Sequence, residues 1–295
     1  MKISIHDYLA FTDSAKGGNR AAVVFGLDME SEQKMQDLAS SLNVPATVFV
    51  GISEKLFDGE SILPLRLRFF TPELEENICG HGTIAAIHVI QARGGINGWK
   101  IPETQFQIEL HDGIVNAKLM RGIAWLEYGD ARAWELDIDR EDVALALGLE
   151  PDELHEDLPV LAASAGRAKL ICGVPSTSYL DAIEPDFDRI KALNLETGTT
   201  GLVAFTFPGR NGCFTDSRHF APTSGIPEDI ATGNAHAALA AYLATERFFD
   251  DGERLFSGAQ GYALGKPSKL EIKCNVKAKK VSNVWVGGKA VRVES

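Results

Sequence analysis

Two short stretches of this 295-residue sequence set proton-exchanging side chains directly before segments that read as buried helices. The first is Cys79-Gly80-His81-Gly82, and the second runs from Asp229 through Gly233 and Asn234 to His236. The start of a helix leaves backbone N–H groups without intrahelical partners and carries the positive end of the dipole, so it can hold a carboxylate. Glycine at Gly80, Gly82 and Gly233 removes the Cβ that would keep a ligand away from those N–H groups. Moving a proton to or from carbon needs an acid and a base in a site dry enough to bring their pKa values toward neutrality. Cys79 and His81 in the first stretch and Asp229 and His236 in the second are therefore the groups beside those ends able to exchange protons, and a thiol at a helix start is where a thiolate is favoured. Asn234, His236 and Asn19, the last preceded by Gly17-Gly18, complete the candidate binding surface. Each has a plainer reading: Cys79 as a small buried hydrophobe, His81 and Asp229 as helix caps, His236 as a core histidine, and Gly17-Gly18-Asn19 as a tight turn.

The elements that must position these groups follow from periodicity. Strands are expected at Ile3–Phe11, Ala21–Phe25, Thr47–Val50 and Leu65–Phe70, with a helix over Ser31–Leu42. The segment Gly80–Gln91 is apolar on nearly every side, as a helix enclosed on all faces requires. Strands at Phe106–Leu110 and Ile123–Tyr128 close this half. The second half has helices over Asp139–Leu147 and Pro185–Leu193, the latter with proline at its first position. Strands at Ala168–Cys172, Leu202–Phe207 and Arg218–Phe220 lead to a second small-residue helix, Gly233–Leu243. Lys269–Lys273 and Val281–Val293 alternate as antiparallel strands, with Gly287-Gly288 read as a turn or bulge. Arg68–Ala86 and His219–Ala238 share one order: strand, Phe-x-Pro, acidic loop, glycine, helix. Their Phe-x-Pro units lie 150 residues apart and their helix-opening glycines 153, which points to an internal duplication. The expected class is α+β, two similar domains over 1–129 and 130–295, each a curved, mostly antiparallel sheet around a central helix. The last strand is free to pack back on the first half. The ligand site is expected between the halves.

A formal net charge of −12 repels a phosphate backbone, and no Lys/Arg stripe offsets it, so nucleic acid is not an expected partner. No apolar run reaches the length of a membrane span, and the first residues lack a signal-peptide pattern, so a cytoplasmic protein is expected. The four cysteines are far apart, and the seven histidines form no metal-binding pair, which predicts free thiols and no metal. His6, His88, His111, His155 and His219 have no partner pattern and read as structural or surface residues.

Phe11–Val24, Phe69–Ala86, His219–Leu243 and Gly265–Ile272 resemble, in order and spacing, the signatures of the PhzF-like family of the diaminopimelate-epimerase superfamily. The resemblance implies a cofactor-independent isomerase or epimerase, often a homodimer, that shuttles a carbon-bound proton on a small carboxylic acid. It puts His81 at the family's active-site histidine and Asp229 at its aspartate, and Cys79 resembles the first thiol of the epimerase relatives. Asn234 stands where many members carry a small hydroxyl residue. In Asn43–Val50 this sequence departs from the family: Ala46 occupies the position of its proton-transferring glutamate. Glu73, Glu75 and Glu76 are the nearest replacement acids by sequence, in what reads as a solvated acidic loop. The departure keeps a second reading open, a non-catalytic binding or interaction protein on the same scaffold.

Overall fold

The computed structural model describes residues 3–56, 62–96 and 104–294. The ends of the two expected halves, residues 1–2 and 295, lie outside them. The described chain forms two compact units, one of residues 1–127 with 287–295 and one of residues 128–286.

The first unit runs β1 (Ser4–Ala10), β2 (Asn19–Phe25), α1 (Glu32–Leu42), β3 (Ala46–Ile52), β4 (Leu63–Phe70), β5 (Glu75–Glu76), α2 (Gly80–Ala92), β6 (Thr104–Leu110) and β7 (Gly113–Met120). It then enters β8 (Ile123–Glu135), which carries the chain into the second unit. There follow α3 (Arg140–Ala146), β9 (Leu161–Ala165), β10 (Arg167–Gly173), α4 (Thr177–Ala182), α5 (Phe187–Thr197), β11 (Leu202–Thr206), β12 (Thr215–Ala221) and β13 (Ile226–Asp229). The unit closes with α6 (Gly233–Thr245), β14 (Gly252–Gln260), β15 (Ser268–Lys277) and β16 (Lys280–Gly288), and β17 (Ala290–Arg292) pairs with β1 in the first unit.

The pairing order is the same in both units. In the first, β1–β2 is antiparallel, β2–β3 parallel, β3–β4 antiparallel, β4–β5 antiparallel, β4–β6 parallel and β6–β7 antiparallel. In the second, β9–β10, β10–β11, β11–β12, β12–β13, β12–β14 and β14–β15 repeat that succession of directions. The fold is α+β: two similar units, each a mostly antiparallel sheet wrapped around one buried helix.

The helices at the two centres are buried for the reason their composition suggests. In α2 every residue from Gly82 to Ile90 is buried, and in α6 burial runs from Ala235 through Ala244. Each enclosed Ile, Val or Leu removes enough apolar surface from water to contribute roughly 1.5–3 kcal/mol. The helices approach their sheets closely because small residues permit it. A Cβ at Gly82 would sit 2.7 Å from Val48 Cγ2 on β3. Past the C-cap Arg93 the chain turns away from α2 at Gly94, whose φ of +74° suits glycine.

Several elements differ from the expectation. The helix expected to start at Pro185 starts at Phe187, because the Asp186 side chain caps it by accepting from the N–H groups of Asp188 and Arg189. Gly287-Gly288 is not a turn; β16 runs through both residues. There the absent side chains make room for neighbours, since a Cβ at Gly287 would lie 2.6 Å from Trp125 and one at Gly288 2.5 Å from Phe11. β5, β7, β9, α4, β13 and β14 lie outside the elements expected from periodicity.

Candidate functional site

In the first unit, Cys79 is the N-cap of α2 in extended conformation, with φ −135° and ψ 108°. Its carbonyl accepts from Thr83 N and Thr83 Oγ1, both at 2.9 Å, which fixes the first turn. Its side chain does not cap the helix; Sγ lies 3.4 Å from Nδ1 and 3.8 Å from Nε2 of His81. The thiol and the imidazole thus form a pair at the helix start, both partly buried, beside Gly80. The other three cysteines are free thiols enclosed in the protein. Burial pushes Cys172 up to about 12 and Cys274 up to about 11.

Asn19 opens β2 and Ala46 opens β3, both buried, with Ala46 paired to Ala21 two residues along from Asn19. Gly18 has a φ of +78° and packs so closely that a Cβ would meet Thr12 and the Ala10 carbonyl, so Gly17-Gly18 serves the local turn. Gly82 packs against β3 and β4, where a Cβ would also meet Cys79 Sγ at 3.2 Å and Phe69 at 3.3 Å. The acidic segment is not a solvated loop: Glu75 and Glu76 form β5 against β4. Glu75 is gripped by Arg68, whose Nε and Nη2 reach its two oxygens at 2.7 and 2.6 Å. That ion pair occupies Glu75, while Glu73 is exposed.

In the second unit, Asp229 ends β13, directly opposite His219 of β12. Thr232, the N-cap of α6, has φ −121° and ψ 102°, nearly the conformation of Cys79. Its hydroxyl donates to Asp229 Oδ2 at 2.5 Å and lies 3.0 Å from His219 Nδ1. Gln260, at the end of β14, clamps the group: Nε2 donates to the Asp229 carbonyl at 2.7 Å and to Thr232 Oγ1 at 3.2 Å, while Oε1 accepts from Thr232 N at 3.1 Å. Gly233 is occupied from outside the helix, since a Cβ there would lie 2.4 Å from the Tyr128 hydroxyl oxygen. Asn234 donates through Nδ2 to the Ala165 carbonyl at 2.6 Å, tying the helix start to the end of β9. His236 is 1% exposed, bonded at Nδ1 to the Thr232 carbonyl (3.1 Å) and seated in a notch at Gly258. Its packing is that of a core histidine, and burial pulls its pKa down to about 4.

The structure therefore brings together Cys79 with His81, and Asp229 with the start of α6. Sequence reasoning missed Thr232, Gln260 and Lys169, and it left His219 as a residue without partners. The one available signal was the alternation of Arg218–Phe220, which puts His219 on the face opposite Arg218 and Phe220. His219 is held well below its ordinary pKa by burial, then by the neighbouring positive charge of Lys169. Among the described residues no three His, Cys, Asp or Glu side chains converge as a metal site.

The chain is similar to proteins of known sequence and structure. A Deinococcus radiodurans protein named an uncharacterized isomerase is 35% identical over 291 residues, covering 95% of this chain and 89% of its own. The trans-2,3-dihydro-3-hydroxyanthranilate isomerase of Pseudomonas aeruginosa is 28% identical over 96% of both chains. A Bacillus anthracis phenazine biosynthesis protein of the PhzF family superposes with a TM-score of 0.87 at 25% identity, covering 100% of this chain and 98% of the other. A hydroxyproline epimerase from Agrobacterium vitis shares the fold at 13% identity, with a TM-score of 0.60 and coverage of 99% and 91%. The profile of the phenazine biosynthesis-like protein family, PhzC-PhzF, matches residues 8–295, and the chain belongs to that family.

Proposed function

We propose that this protein is an isomerase or epimerase that moves a carbon-bound proton on a small carboxylic acid, with Asp229 as its principal proton-transfer residue. The observation that carries the reading is the Thr232 hydroxyl donated to Asp229 Oδ2 at the start of α6. That hydrogen bond fixes the carboxylate's orientation beside the helix start, where a positioned base would have to stand. The helix start next to it supplies N–H donors and a positive dipole end for the substrate's own carboxylate. His81 and Cys79 are the proton-transfer candidates of the first unit, with Gly80 at the matching helix start. We also infer that the two units derive from one duplicated half, on the strength of the repeated pairing order and the 153-residue offset of the helix starts. The relatives named as isomerases support the reaction class.

Ala46 favours a second reading, a binding protein that kept the scaffold without the family's glutamate. The two readings separate in D2O. Small amino acids and cyclic carboxylic acids are incubated with the protein and followed by proton NMR. An isomerase washes deuterium into one carbon position of some acid, and Asp229→Asn abolishes the exchange. Raised melting temperature with no exchange in any acid selects the binding protein.

A further inference from the structure

The sheet rungs beside the two helix starts correspond residue for residue. In the second unit Val203 of β11 pairs with His219 of β12, and His219 with Asp229 of β13. In the first, Val48 of β3 pairs with Phe69 of β4, and Phe69 with Glu76 of β5. Glu76 thus stands where Asp229 stands. Each carboxylate is half-buried and lies three positions before an N-cap in extended conformation, Cys79 for Glu76 and Thr232 for Asp229. In each case the preceding glutamate, Glu75 or Glu228, is held in an arginine fork.

Residues paired across strands share a sheet face, and so do residues two apart on one strand. Val48, Phe69 and Glu76 therefore lie on one face together with Ala46, two residues before Val48, while Arg68 and Glu75 lie on the other. The face of Glu76 is the one that meets α2. A Cβ at Gly82 in the first turn of that helix would touch both Val48 and Phe69 of the rung, and Cys79 Sγ as well. In the second unit the residue two before Val203 is Gly201, the counterpart of Ala46. That unit thus has a small residue before β11 and its carboxylate two strands away on β13. The first unit has the same distribution, with Ala46 on β3 and Glu76 two strands away on β5. Of the three acids in this segment, Glu73 is exposed and Glu75 lies on the far face in the grip of Arg68, so Glu76 is the one placed on the face of α2.

We propose that Glu76 is the proton-transfer carboxylate of the first unit, serving in place of the glutamate that Ala46 replaces, on an acid held at the start of α2. The proposal rests on the isomerase reading given above. As a carboxylate, Glu76 takes the proton from carbon and leaves the electron pair on the substrate, where the substrate's own carboxyl group delocalises it. The carboxylic acid so formed returns a proton to carbon and is again ionised, so nothing is consumed. In D2O the acid form trades its proton for deuterium before the return, which is how label enters the substrate.

The test incubates small amino acids and cyclic carboxylic acids with the protein in D2O and follows them by proton NMR. For an acid that gains deuterium with the unaltered protein, Glu76→Gln should slow the exchange by at least about 100-fold, the scale of one lost acid–base group. Glu76→Ala should be as slow, and added formate should restore part of its rate by supplying a carboxylate where the side chain was removed. Formate should restore nothing in Glu75→Ala, whose carboxylate serves the Arg68 fork. A Glu76→Ala protein that formate does not revive would have lost a structural contact, and the proposal is overturned. Exchange in Glu76→Gln at the rate of the unaltered protein also overturns it and leaves the isomerase reading in place. Should Glu76→Gln not fold, Glu76→Ala with and without formate decides the matter. Exchange lost in Glu76→Gln but kept in Asp229→Asn supports Glu76 and rejects Asp229 as the principal residue. If the unaltered protein exchanges no acid at all, the isomerase reading fails and the role of Glu76 fails with it.

Discussion

Arg218 grips both carboxylate oxygens of Glu228, Nε to Oε1 at 2.9 Å and Nη2 to Oε2 at 2.8 Å. Arg68 holds Glu75 in the same fork in the first unit, and each arginine lies over the phenylalanine two residues on, at 5.1 Å for Phe220 and 5.4 Å for Phe70. Both ion pairs fasten the short strand that leads to a helix start, β13 before α6 and β5 before α2. Their positions are offset by 150 residues for the arginines and 153 for the glutamates, matching the offsets of the Phe-x-Pro units and the helix starts.

The two forks differ in burial, and that sets a first prediction. The Arg218 and Glu228 side chains are each 9% exposed, and Arg218 also donates to the Leu180 and Ile183 carbonyls. Glu228→Gln leaves that guanidinium enclosed without its counter-charge and should cost about 3 kcal/mol. Glu75→Gln, in the less enclosed pair, should cost about 1 kcal/mol. Urea unfolding of the two variants measures the difference. Equal losses would show that the second fork gains nothing from its burial.

The second prediction concerns the notch under His236. A Cβ at Gly258 would stand 2.4 Å from His236 Cδ2 and 2.5 Å from Nε2, and β14 pairs on both sides there, leaving the backbone little room to retreat. Gly258→Ala should cost about 2–3 kcal/mol by overpacking. In the background of His236→Ala the obstructing ring is gone, and the same glycine substitution should cost about 1 kcal/mol less. Strictly additive losses would mean that the strand, not the histidine, rejects the methyl group.

These relationships mark what the sequence makes legible and what it hides. The helices α2 and α6 could be read because they are apolar on all faces and open with glycine, and their motifs carried Asp229, His81 and Cys79 with them. β9 escaped because Leu-Ala-Ala-Ser-Ala is short and lacks β-branched residues, and β7 because much of it is exposed. Thr232, Gln260, His219 and Lys169 lie on four different elements, so no spacing along the chain announces that they converge. Their association depends on the register of β12 against β13 and β14, which is a tertiary property. Gly287 and Gly288 show the same limit, since a pair of glycines reads as a turn until Trp125 and Phe11 are known to lie against it.

A third prediction uses the cysteines. Cys79 is partly exposed, whereas Cys172, Cys213 and Cys274 are buried and their burial raises each thiol's pKa. Since the thiolate is the reactive form, brief iodoacetamide treatment of the folded protein should add one label per chain, and Cys79→Ser should remove it. Peptide mass mapping reads the site. With His81 within 3.4 Å of Sγ, His81→Ala should slow the labelling if the imidazole helps to draw off the thiol proton. An unchanged rate would reduce the pair to a packing contact.

The last prediction follows from Asp216, a buried carboxylate on β12 whose neighbour Arg210 places Nη1 at 3.2 Å. Burial raises Asp216 to about 6, and the attraction of Arg210 offsets only part of that rise. A carboxyl whose folded pKa lies above its unfolded value contributes stability below the unfolded value, and loses it as the pH rises through the folded one. Wild-type stability relative to Asp216→Asn should therefore fall as the pH rises from about 4 to about 7, by on the order of 2 kcal/mol. At pH 4 the protonated aspartate resembles the asparagine, and the two proteins should unfold at similar urea concentrations. At pH 7 the variant should be the more stable of the two, since it no longer buries a charge that Arg210, shared with Asp181, compensates only in part. A stability difference that stays constant between pH 4 and pH 7 would mean that Arg210 neutralises the buried charge fully.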